Sequence, residues 1–201
     1  MTDMWHYERE ALEQGHALVC GCDEAGAGPL AGPVYAAAVI LPLGVEIEGL
    51  DDSKKLTEKK REALFPVIQE KALAWAVARV EAAEIDETDI LSARMKAMQL
   101  AMDQLALRPD FALIDGNRDH GRSFALTTPH CCIVKGDSLS ASIAAASILA
   151  KVSRDRFMVE QDRLYPAYGF ARHKGYGTAQ HREAIARLGP CPIHRRTFLK
   201  G

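Results

Sequence analysis

The chain has 201 residues, of which 48% are hydrophobic and 26% charged, with a formal net charge of −2 at pH 7. That length and apolar content fit one globular unit with a small appendage, able to bury a core of its own. No stretch approaches the roughly 20 apolar residues of a membrane span. The polar stretch from Met1 to Glu10 has no signal-peptide core, so a cytoplasmic location is expected.

Val19 to Cys22 reads as a short apolar strand that runs into two acids, Asp23 and Glu24. A loop with Gly26, Gly28 and Gly32 follows, interrupted by Pro29 and Pro33. Val34 to Leu41 is almost entirely apolar and reads as a central strand. Thr57 caps a helix that runs through Lys60 toward Gln69. Leu73 to Val80 is a third strand, and the three suggest an antiparallel meander.

Leu91, Met95, Met98, Met102 and Leu105 fall on one helical face, and Arg108-Pro109 ends that helix. The methionines read as core filler. Phe111 to Gly116 is a short buried strand ending on Asp115 and Gly116, and Cys131 to Asp137 repeats that pattern. Ser140 to about Leu164 is a long helix, alanine-rich first and basic later, stopped by Tyr165-Pro166. A Gly- and aromatic-rich loop spans Tyr168 to Gly177. Thr178 to Leu188 is one more helix, and a basic tail from Cys191 lies over the body. The order reads as three strands, helices, strand, helix, strand, helix. It gives an α/β fold with a mixed sheet and a helical C-terminal appendage.

Five cysteines give an odd count with no CxxC, so they read as small apolar residues in a reducing compartment rather than a zinc site. Charge is uneven. Residues 151–201 carry 11 Lys or Arg against 4 Asp or Glu, which leaves the first 150 residues strongly acidic. A basic surface set against an acidic site is the expected consequence.

Three strands or post-strand turns therefore end in an acid: Asp23 with Glu24, then Asp115, then Asp137. Sites in open α/β sheets form outside the carboxyl ends of strands. Carboxylates meeting there repel one another unless cations intervene, and Mg²⁺ or Mn²⁺ takes hard oxygen ligands while keeping water for chemistry. Neighbouring residues on a regular strand face opposite ways, so Asp23 and Glu24 converge only if the chain curls at Glu24. Each acid taken singly also fits a turn or helix cap.

The segments Asp23-Glu24-Ala25-Gly26-Ala27-Gly28-Pro29-Leu30-Ala31-Gly32-Pro33-Val34, Asp52-Ser53-Lys54-Lys55-Leu56, Ile114-Asp115-Gly116-Asn117 and Lys135-Gly136-Asp137-Ser138 resemble bacterial ribonuclease HII. So do Ala145 to Asp155, His173-Lys174-Gly175-Tyr176 and His194-Arg195-Arg196, in the same order, over about residues 20–198. The resemblance implies a ribonuclease H-like mixed sheet flanked by helices, with a small helical C-terminal extension. Residues 1–164 would form the catalytic domain, and 165–201 an extension packed on it that helps bind substrate.

It also implies a metal-dependent endonuclease, with Mn²⁺ or Mg²⁺ in a two-metal site. The substrate would be an RNA–DNA hybrid or duplex DNA with embedded ribonucleotides, cut on the 5′ side to leave a 5′-phosphate and a 3′-hydroxyl. Such an enzyme removes misincorporated ribonucleotides, and RNA primers, from DNA. Asp23, Glu24, Asp115 and Asp137 would be the catalytic and metal-binding acids. Gly26, Ala27, Gly28, Lys54, Lys55, His173, Lys174 and Tyr176 would contact substrate, the loop reading the 2′-hydroxyl and Tyr176 packing on a sugar.

The chain departs from the family at Ala27, where a Gly-Arg-Gly arginine is expected. A hybrid-binding protein with impaired cleavage is the alternative that this departure raises. Asp155, four residues after Lys151, reads as a structural ion pair. His194, Arg195 and Arg196 read either as duplex contacts or as anchors of the tail. Nothing suggests a dimer, and a monomer without membrane contact is expected.

Overall fold

In the computed structural model, which describes residues 3–200, the chain forms seven helices and five strands. In order these are α1 (His6–Glu13), β1 (Val19–Ala25), β2 (Val34–Ile40), α2 (Glu58–Lys71), β3 (Ala74–Val80), α3 (Ala82–Glu87) and α4 (Ile90–Asp103). Then come β4 (Phe111–Asp115), β5 (His130–Ile133), α5 (Ala141–Leu164), α6 (Phe170–His173) and α7 (Ala179–Leu188).

One sheet runs β3-β2-β1-β4-β5. The first three strands are the expected antiparallel meander, and β1, β4 and β5 are parallel. The carboxyl ends of β1 and β4 therefore lie side by side at one edge, where an α/β sheet places its chemistry.

Helices cover both faces. Met95, Met98 and Met102 of α4 pack on the face that carries Cys20, Cys22, Ala36 and Ile114. Ala145, Ile148, Leu149 and Val152 of α5 pack with α2 on the face that carries Ala37 and Val39. The central helix α5 lies very close to β1, because a Cβ at Gly21 would sit 2.2 Å from the Ser142 carbonyl carbon. Ser140 caps α5 by accepting from the Ile143 amide at 3.2 Å, as Thr57 and Asp89 cap α2 and α4.

Three features differ from the sequence reading. Helix α1 was not anticipated; its buried Glu8 accepts from Ser140 Oγ and the Ser142 amide, a tie to α5 that the local sequence cannot reveal. No helix separates β4 from β5. The linking segment carries two Gly, two Arg and two Thr, lacks an apolar 3.6-residue period, and holds the isolated bridge His120–Ala125. And β5 stops at Ile133, so Asp137 rides on a 3₁₀ turn, Gly136–Ser138, rather than a strand end.

Beyond α5, the chain turns at Pro166 and passes through α6 and α7. It then returns to the body, where His194 bridges Ala31.

Candidate active site

The register explains which acids meet. Cys22 on β1 lies opposite Ile114 on β4 in a parallel pair, so the next residues along, Asp23 and Asp115, stand side by side on one face of the sheet. The turn after β5 brings in Asp137, whose amide donates to Asp115 Oδ1 at 3.3 Å. Lys135, just before it, takes a left-handed φ of 59° to aim that turn. Asp23, Asp115 and Asp137 each offer an oxygen within 4.8 Å of the others.

Asp23 and Asp137 are only 3% exposed, so these charges are costly. Burial first, then the Glu24 and Asp115 charges, push the Asp23 carboxyl well above the usual carboxylate range. Burial and then Asp137 raise Asp115. One cation answers them: Lys54 Nζ donates to Asp137 Oδ2 at 3.0 Å. Burial works to lower the Lys54 pKa, but the Asp137 hydrogen bond and charge outweigh it and raise it. A compact set of carboxylate oxygens that already draws in an ammonium group fits a hard divalent cation.

Glu24 is not one of the three acids whose oxygens lie within 4.8 Å of one another, although its charge still acts on Asp23. The β1–β2 ladder continues through Glu24 opposite Ala36 and Ala25 opposite Tyr35, so the strand does not curl there. Glu24 consequently faces the α4 side, where Arg94 Nη2 meets Oε1 at 2.7 Å. Burial raises its pKa, although Arg94 works against that.

After β1, Gly26 takes φ +93° with Arg154 pressed against it; a Cβ there would fall 1.9 Å from Arg154 Nε. Two fully buried arginines hold this loop. Arg154 donates to the carbonyls of Ala31, Pro33 and Lys174, and Arg195 to those of Gly26, Ala27 and Gly32. Arg195 and His194 thus anchor the tail, which decides between the two sequence readings. Gly28 is exposed beside the half-buried Ala27.

Of the remaining expected substrate contacts, Lys55 is exposed and bonds Asp51 and Ser138. Tyr176 is 46% exposed. His173 is not free to touch a ligand. It is buried, its Nε2 donates to the Tyr168 carbonyl at 2.8 Å, and its Nδ1 accepts from the Gly175 amide. The turns on either side of α6 thus use both ring nitrogens. Lys174 is largely buried too, and its Nζ donates to the Ala171 carbonyl. Asp155 pairs with Lys151 at 2.7 Å, the structural role expected for it.

A family-level sequence model described as Ribonuclease HII matches residues 20–200. The chain belongs to the ribonuclease HII family. It is 55% identical over 198 residues to a "Ribonuclease HII" of Acetivibrio thermocellus, covering 98% of this chain and 76% of that protein. It is likewise 55% identical over 195 residues to that of Geobacter metallireducens, covering 97% and 90% respectively. Among solved structures it is similar to the ribonuclease H2 of Pyrococcus horikoshii OT3, at 28% identity and a TM-score of 0.73, covering 92% of this chain and all of that one.

The mixed sheet is therefore the ribonuclease H-like fold that the resemblance implied, and the protein is a ribonuclease H that acts on RNA–DNA hybrids. No helix among the described residues is long and apolar enough to cross a membrane.

Arg94 carried no signal in the ribonuclease HII sequence. It is one of two basic residues in the first half of α4, and its partner lies far away in the chain. Arg154 is one residue of the Ala145–Asp155 segment, and nothing local marks it as a loop anchor.

Proposed function

We propose that this ribonuclease HII holds Mg²⁺ or Mn²⁺ on Asp23, Asp115 and Asp137 and cuts duplex DNA on the 5′ side of an embedded ribonucleotide. The observation that carries this reading is the buried carboxylate cluster, with its three oxygens within 4.8 Å, beside the Gly26-Ala27-Gly28 loop.

Divalent cations held there would supply Lewis-acid activation of a water and charge stabilisation for the leaving oxygen of a displacement. Asp23 and Asp115 supply the most direct ligands and Asp137 completes the set. Glu24, held by Arg94, positions metal or water from the far side of β1. Lys54 and Lys55 offer cations to the nucleic-acid backbone at the rim of the site. The Tyr176 ring has the exposure to pack on a sugar. No serine or cysteine nucleophile is needed. Residues 165–201 serve as an extension that supports substrate binding, and the chain acts as a cytoplasmic monomer that clears ribonucleotides and primers from DNA.

Incubation with duplex DNA containing one ribonucleotide, with Mg²⁺ or Mn²⁺, an all-DNA control and a chelator arm, tests the reading. Cleavage at the ribonucleotide alone, abolished by chelator and by Asp115→Asn, is expected. Tight binding without cleavage in either metal favours the alternative, a hybrid-binding protein impaired by Ala27.

A further inference from the structure

Gly26 and Ala27 turn both carbonyls inward. Arg195 Nη2 donates to the Gly26 oxygen at 2.5 Å and Nη1 to the Ala27 oxygen at 2.8 Å. Its Nε reaches the Gly32 oxygen at 2.9 Å, and the residue is 0% exposed. The chain has no cis peptide bond among the described residues. In a planar trans peptide the carbonyl and the next N–H point in opposite directions. With the two carbonyls tied to Arg195, the Ala27 and Gly28 amides must point away from it. Neither amide donates to a protein acceptor among the described residues. Two successive free N–H groups aimed outward over a buried guanidinium form a donor pair suited to an oxygen-rich ligand.

The tail that carries Arg195 also sets Tyr176, through a chain of hydrogen bonds whose direction is fixed. The Cys191 amide donates to His194 Nδ1 at 2.9 Å, so the neutral His194 ring carries its proton on Nε2. That Nε2–H faces His181 Nε2 at 3.0 Å, which must accept. His181 then carries its proton on Nδ1 and donates to the Tyr176 carbonyl at 2.9 Å. Every ring nitrogen in the chain is used, and only one arrangement of protons satisfies all of them. His173 stacks on His181 with ring centroids 4.3 Å apart and holds the Gly175 amide beside Tyr176.

We propose that His194 and Arg195 are the positioning residues of the ribonucleotide reader: Arg195 presents the Ala27 and Gly28 amides to the ribose and phosphate oxygens, and His194 fixes Tyr176 through His181. This rests on the reading that the loop and Tyr176 recognise an embedded ribonucleotide. It goes beyond that reading by assigning the recognition geometry to two buried side chains of the tail. It also explains how Ala27 can stand where an arginine was expected, since the main-chain donors are held from beneath the loop.

The test uses the full chain and two duplexes that differ by one 2′-hydroxyl, with Ca²⁺ present to suppress cleavage. Binding is measured for wild type, Arg195→Lys and His194→Gln, with melting temperature and Mn²⁺ affinity recorded for each. Lys keeps the charge but cannot serve three carbonyls; Gln keeps a donor toward His181 but loses the ring. The proposal expects preference for the ribonucleotide duplex to fall about tenfold in Arg195→Lys and less in His194→Gln, with Mn²⁺ affinity unchanged. Variants that melt earlier but keep the wild-type preference would overturn it, since that is a merely structural role.

A wild type with no preference removes the underlying reading and this proposal with it, whereas wild-type preference retained in the variants removes the proposal alone. Should both variants fail to fold, wild-type NMR decides. The Ala27 and Gly28 amide signals must move on adding the ribonucleotide duplex and not the all-DNA one; unmoved signals overturn the proposal.

Discussion

Arg94 Nη2 and Glu24 Oε1 meet at 2.7 Å, yet Glu24 Oε2 and Arg94 Nε, both buried, have no partner among the described residues. This half-satisfied ion pair beside the carboxylate cluster leaves one carboxylate oxygen of Glu24 without a protein donor. Removing the cation alone leaves a buried, unpaired charge. Arg94→Met is therefore expected to lower stability by about 1–3 kcal/mol at pH 8 and to slow cleavage. Combining it with Glu24→Gln should restore much of the stability but not the activity. Denaturant unfolding of the four proteins of this double-mutant cycle checks it; additive losses would deny the coupling.

The carboxylate cluster destabilises the metal-free fold. Asp23 and Asp115 have folded-state pKa values raised by burial and by neighbouring charge. Folded protein then keeps protons that the unfolded chain releases, so the penalty is absent at low pH and grows as pH rises from about 4 through the raised values. Asp23→Asn is expected to abolish cleavage while raising the metal-free melting temperature by ~2–4 °C at pH 8. Mn²⁺ should stabilise the wild type by more at pH 8 than at pH 5. Calorimetric scans with and without Mn²⁺ at the two pH values decide it.

Acid acts in the opposite sense on the tail. Burial, then the neighbouring His181, holds the His194 pKa down to about 4. Unfolded chain therefore binds a proton that folded chain refuses, and stability is lost as pH falls from about 6.5 toward 4. The groups facing His194 are His181, Tyr168 and Cys191, with His173 beyond, and none supplies a negative charge to offset the proton. His194→Gln should flatten the loss of stability over that window, read from urea midpoints at successive pH values.

At the loop, Ala27 leaves the main-chain donors intact but brings no cation of its own. Ala27→Arg is expected to tighten duplex binding several-fold and to steepen its salt dependence by about one counterion, without changing Mn²⁺ affinity. Anisotropy titrations at three salt concentrations measure this. An unchanged slope would mean that an arginine at 27 does not reach the backbone.

Much of the site was legible because it is local. The acid at the end of an apolar strand, the glycine loop and the Thr57 cap each announce themselves within a few residues. The three-strand meander followed from apolar runs alone. What the sequence hid depends on pairing across long separations. The sequence left open whether the chain curls at Glu24 to bring it round to Asp23, and only the β1–β2 register reveals that the ladder runs on and Glu24 faces α4. His173 read as a substrate contact because the resemblance places it in a family motif, whereas its partners, Tyr168 and Gly175, are fixed by the turns around α6. The roles of Arg154 and Arg195 were hidden because they bind carbonyls, which every residue has.

The chemistry of the product ends tests the central claim most directly. A water attacking phosphorus at the acid cluster leaves a 5′-phosphate on the ribonucleotide and a 3′-hydroxyl on the DNA preceding it. Mass spectrometry of fragments cut from a duplex with one ribonucleotide should find those two ends and no others. A 2′,3′-cyclic phosphate with a 5′-hydroxyl would mean that the ribose hydroxyl attacked instead, and the assignment of Asp23, Asp115 and Asp137 to a metal-and-water displacement would be wrong.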